Sequence, residues 1–211
     1  MALLHPQATL RPSKLDLLAA WLPTRAWYRG PAAAELTRVA GYRFDDPDGE
    51  VGLETLLVRA GDGPIHQIPL SYRGARLDGH DEWLVGTSDH SVLGQRWIYD
   101  ACGDALYARV VADTIASGAS GAEEFAAVDG RTERREPSMT VRGSGAADAP
   151  AITTIVRVDE GDPTLIVTDS VELAVRRVLD GAPGGPAAGR GVLTGSWGTG
   201  PAEVILVEVR G

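Results

Sequence analysis

One lysine, one cysteine and no asparagine stand among the 211 residues of this chain. Each scarcity closes off a chemistry. Cys102 has no partner for an internal disulfide, which fits a reducing cytoplasm. Phosphotransfer on the protein-kinase plan uses a strand lysine on the nucleotide phosphates and an asparagine on the metal. Lys14 precedes the first predicted helix, the wrong place for that role, and the asparagine does not exist. A Schiff-base or P-loop lysine is excluded on similar grounds. Basic charge is also short: 20 bases against 29 acids leave −9, a balance that argues against nucleic acid as a partner. No apolar run approaches the ~20 residues of a membrane-spanning helix. The opening MALLHPQATLRPSK lacks the charged-then-apolar order of a secretory signal.

What is present suffices for a soluble body with a sizeable core, as one large or two small domains, since 44% of residues are hydrophobic and 23% charged. Ser13 and Asp16 form a capping-box pattern, and Leu15, Leu17, Leu18, Trp21 and Leu22 recur at helical spacing until Pro23. From Glu35 alternation takes over. Segments 35–39, 42–44, 51–59 and 65–72, separated by turn signals such as DDPDG at 45–49, read as an antiparallel meander. Residues 83–85 read as a short strand, and 104–117 as a helix stopped by Gly118. Beyond residue 130 the chain reads as all β, with strands over 138–142, 152–158, 164–168, 171–179, 191–197 and 203–209. GRTERRE (130–136) reads as a charged connection, and 143–150 and 181–189 as loops. The fold expected is α+β, mainly antiparallel sheet, divided into residues 1–130 and a β-rich 131–211. Its expected core is Leu18, Trp21, Leu22, Leu56, Val58, Ile68, Leu70, Leu106, Val110, Val156, Val175, Leu193 and Leu206.

Polar chemistry concentrates between Asp78 and Asp104. His80 and His90 with neighbouring carboxylates are residue types that hold zinc, manganese or iron, the basis of a metal-assisted hydrolase reading, although their spacing matches no ligand signature. His90-Ser91 beside Asp89 or Asp100 supplies the groups of an acyl-transfer triad without the G-x-S-x-G elbow. Cys102 at a helix entrance is either a lowered-pKa thiolate or, the better reading, a buried structural thiol. Gly143-Ser144-Gly145 has no following helix and reads as a turn rather than a phosphate cradle. Arg134-Arg135 and Arg176-Arg177 read as solvated charges. Trp197 in its glycine-rich stretch is expected to be exposed, a contact for sugar or partner, whereas Trp21, Trp27 and Tyr28 lie by the first helix and read foremost as core anchors.

Trp21-Leu22-Pro23, then Arg25, Trp27-Tyr28 and Gly30, resemble the opening of actinobacterial maltokinases and related glucosamine kinases, whose W-L-P-x-x-R-W-Y-type helix ends inside an N-terminal cap. The sequence departs at Thr24, Ala26 and Arg29. The strands that follow, and Trp97-Ile98-Tyr99-Asp100-Ala101 before the second helix, also look like that cap, so the resemblance covers roughly residues 13–125. It implies a curved, cystatin-like antiparallel sheet carrying helices, without the phosphotransfer lobes. It also implies no cofactor and a cytoplasmic place near trehalose, maltose and α-glucan metabolism. There a noncatalytic module binds a partner enzyme or a carbohydrate through Trp197, Trp27 and Tyr28. A glucan-branching activity is not expected, because it needs a far longer barrel with paired acids. A homodimer through strand edges is the third expectation.

Overall fold

The computed structural model describes residues 2–4, 8–32, 34–128, 131–145, 150–179, 191–198 and 203–210. The loop expected over 181–189 lies outside them. The chain begins with β1 (Ala2–Leu4) and β2 (Leu10–Arg11) and enters α1 (Lys14–Trp21), which a short 3-10 turn (Leu22–Thr24) prolongs. Ser13 Oγ accepts from the Asp16 amide and the Asp16 side chain accepts from the Ser13 amide, so the predicted capping box is formed.

The first sheet follows: β3 (Leu36–Phe44), β4 (Gly52–Ala60), β5 (Ile65–Arg73), β6 (Leu84–His90) and β7 (Gly94–Asp100), in the order β2-β6-β7-β5-β4-β3, every pairing antiparallel. Its central strands β4 and β5 are buried on both faces. Leu56, Val58, Ile68, Leu70 and Ile98 pack with Leu18, Trp21, Leu22 and Trp27 on the α1 side. The alternate positions Tyr42, Phe44, Leu53, Leu57 and Ile65 face a second, larger core.

Asp104 caps α2 (Ala105–Ser117), and Gly118 ends it with φ +69°, where a left-handed residue is needed. β8 (Glu124–Val128) and β9 (Arg131–Arg135) then form a hairpin to which β1 adds in parallel. The second large sheet comprises β10 (Thr140–Gly143), β11 (Ile155–Asp159), β12 (Thr164–Thr168), β13 (Glu172–Val175), β14 (Val192–Ser196) and β15 (Val204–Arg210). It is antiparallel throughout, in the order β10-β14-β15-β13-β12-β11. Its inward side chains, among them Ile166, Leu173, Val175, Leu193 and Leu206, join Tyr107, Val111 and Ile115 of α2 and the inner face of the first sheet in one hydrophobic cluster.

The fold is thus mainly antiparallel sheet with two helices, as expected. Several particulars differ. Residues 36–44 make one strand because β4 pairs with it from Leu36 to Phe44 across a register shift between Arg38 and Ala40, and Ser138 Oγ bonds both the amide and the carbonyl of Gly41. Residues 94–100 are a strand, and the charged segment 131–135 is one arm of a hairpin. Val156, expected in the core, is exposed, because the register of β11 shifts between Ile155 and Arg157 and turns it outward; Leu106 is only partly buried.

Candidate functional site

The aromatic segment after α1 meets the second half of the chain. Trp21 and Trp27 pack edge to face at 5.9 Å, Arg25 lies 5.1 Å over the Trp21 ring, and the Tyr28 ring sits 5.0 Å from that of His66. Trp27 is buried beneath the Arg177 guanidinium, which stacks 4.6 Å above it. Arg25 donates to Glu160 at 2.8 Å and Arg29 approaches Asp162 at 3.4 Å, both in the turn before β12. Asp162 in turn accepts from the amides of Arg177 and Val178, so one turn ties the aromatic segment to the second sheet.

Arg177 is the centre of this junction. It is 0% exposed, with Nη2 donating 2.6 Å to Asp100 at the end of β7 and Nε donating 2.8 Å to Thr164. Burial alone would lower its pKa, but the adjacent Asp100 carboxylate outweighs that and raises it. Asp100 also accepts from the Cys102 amide. Arg177 is therefore not a solvated charge. The alternation Leu173, Val175, Arg177, all inward, runs past the end of β13 and was the signal for it.

The other sequence candidates are dispersed. His80 precedes a 3-10 turn (Asp81–Trp83) with Nδ1 bonded to the Asp78 carbonyl, and His90 at the far end of β6 accepts from the amides of Val92 and Leu93. A seven-residue strand puts about 20 Å between its ends, and no group of three or more metal-ligating side chains gathers among the described residues. The structure does not bring the triad types together: Ser91 Oγ accepts from the Thr9 amide, while Asp100 is engaged by Arg177 in the core. Cys102 is fully buried, and burial pushes its thiol pKa up, opposite to an activated thiolate. Ser144 exchanges bonds with Val192 as a strand-end tie. Trp197 is 8% exposed and part of the large core, against the expected exposure. Gly195, two residues earlier, is likewise close-packed: a Cβ there would stand 2.4 Å from the Met139 methyl, so this glycine serves core packing rather than a loose loop. Of the three aromatic contact candidates, Tyr28 alone keeps a partly exposed ring.

A second polar cluster went unrecognised in the sequence. Glu54 on β4 is buried among Lys14, Arg43, Arg38 and Tyr72. Burial alone would raise its pKa, yet Lys14 and Arg43 hold it down to about 2. The Lys14 amine is lowered by its own burial, against the opposing pull of Glu54.

Compared with known families, residues 21–104 match the maltokinase N-terminal cap domain. This segment is a maltokinase-cap-like domain. It runs from Trp21 through the whole β3–β7 set to the Asp104 cap of α2, and so contains Trp27, Glu54 and Asp100 but neither Lys14 nor Arg177. No curated protein matches the chain. No helix among the described residues is long and apolar enough to cross a membrane.

Proposed function

We propose that this protein is a noncatalytic cytoplasmic module that works beside an enzyme of maltose, trehalose or α-glucan metabolism, binding that enzyme or a glucan-related ligand. The cap-domain match over residues 21–104 carries the reading. It is supported by what the candidate reactive groups are doing: Asp100, Ser91, Ser144 and Cys102 are each engaged in structural bonds or sealed in the core. We further propose that residues 1–130 form the cap-like part, with cystatin-like curvature, and that 131–211 are a β-rich addition. Tyr28, with Trp27 behind it, is the aromatic contact we assign to the partner face.

The test is cross-linking in the source cell followed by mass spectrometry of the joined peptides. The expected product links this chain to an enzyme acting on maltose, trehalose or an α-glucan, and Tyr28→Ala weakens that link without lowering the melting temperature by more than about 2 °C. The reading is overturned if the purified protein phosphorylates maltose or glucosamine with ATP. It is equally overturned if the protein carries stoichiometric zinc or manganese that a His80→Ala/His90→Ala variant loses.

A further inference from the structure

Three cations from two elements converge on one buried carboxylate at the edge of the first sheet. Lys14 Nζ, in the first turn of α1, pairs with Glu54 Oε2. From β3, Arg43 Nη2 reaches Oε1 at 2.9 Å, and Arg38 Nη2 stands 4.0 Å from the same oxygen. The Tyr72 hydroxyl donates to Oε2 at 3.0 Å, and its ring lies 5.0 Å from the Lys14 ammonium. The Arg38 side chain crosses over Gly41, where an added methyl would stand 2.8 Å from the Thr55 carbonyl oxygen and 3.0 Å from Arg38 Nη2.

The charges do not balance. One carboxylate against three cations leaves a local excess of +2 on a chain whose net charge is −9. Both Glu54 oxygens are taken by Lys14, Tyr72 and Arg43, so the Arg38 fork stands beyond hydrogen-bond distance from them. Nor are the cations sealed in: the side chains of Lys14, Arg38 and Arg43 are 25%, 48% and 18% exposed. Like charges held together repel, and an anion placed between them removes that cost. An ammonium beside two guanidinium forks matches the oxygens of a phosphoryl group.

We propose that Lys14, Arg38 and Arg43 form a site for the dianionic phosphoryl group of free phosphate or a small phosphomonoester, with Glu54 as the buried counter-charge that sets their spacing. The site goes beyond the partner-binding reading and does not depend on it. Glu54 stays ionised throughout the neutral range, which keeps the three cations gathered.

Titration calorimetry of the full chain at low ionic strength, with inorganic phosphate, glucose 1-phosphate and glucose as probes, tests the site. Both phosphates are expected to bind saturably and to weaken with added salt, while glucose does not bind. Equal affinity for the two means that the phosphoryl group alone is read; tighter glucose 1-phosphate means that the sugar adds contacts of its own, and either result supports the site. Arg38→Ala should weaken binding roughly tenfold, the scale of one charge-assisted hydrogen bond, and Arg38→Glu should abolish it. Arg134→Ala, at an exposed arginine outside the cluster, should change nothing. Absence of saturable phosphate binding overturns the proposal, as does binding that survives Arg38→Glu or falls equally with Arg134→Ala.

Discussion

A guanidinium with no exposed surface, such as Arg177, holds its place only because every route of escape would leave Asp100 charged and alone in the core. Breaking such a pair from one side costs about 3–5 kcal/mol, far more than an exposed pair is worth. Arg177→Met is therefore expected to lower the unfolding free energy by about that amount in urea titrations. Arg177→Lys should not restore it, because one ammonium cannot reproduce the fork that spans Asp100 and Thr164 while lying flat on Trp27. Glu54 gives a pH signature of its own. Its folded pKa of about 2 lies below the ordinary 4.5, so its stabilisation is complete above pH 4.5 and disappears as the pH falls towards 2. The contribution is bounded at about 3 kcal/mol. In Glu54→Gln, stability measured from pH 5 to 2 should decline less steeply than in the parent.

Elements show where the sequence was legible. Both helices and their stops were readable, since Ser13, Asp104 and Gly118 each perform the capping their side chain or backbone freedom suits. Strands with a buried face were readable too, β12 to the residue. β9 was not, because all five of its residues are exposed and polar and leave no alternation to read. Long-range partnership was illegible in principle: nothing local to Arg177 names Asp100, 77 positions away, and nothing near Lys14 names Glu54. Trp197 misled because a glycine-rich flank signals a loop as readily as a close-packed strand. Close approach also governs the seat of α2 on β10. A Cβ on Gly143 would stand 2.0 Å from the Thr114 carbonyl oxygen and 2.7 Å from the Ile115 Cα, both helix backbone that cannot swing aside. Gly143→Ala is expected to cost about 1–3 kcal/mol, the usual penalty for overpacking, visible as an earlier thermal transition with unchanged far-UV dichroism.

At the scale of the whole molecule, the cap-like segment does not end at its own boundary. Its inner face, α2 and the second sheet contribute to one hydrophobic cluster, and the backbone crosses between them where Gln67 donates to the Arg177 carbonyl and Leu179 to that of Ile65. The Gln67 side chain adds bonds to the Arg176 and Leu206 carbonyls. Trp21 and Trp27 of the aromatic signature thereby face inward, with Trp27 stacked on Arg177 of the other half. Such a body should unfold as a unit, because exposing either sheet strips the other of its core. Differential scanning calorimetry of the intact chain measures this directly. The account predicts one transition whose calorimetric and van't Hoff enthalpies agree, shifted as a whole by Arg177→Met; two separable transitions, with only the later residues affected by that substitution, would contradict it.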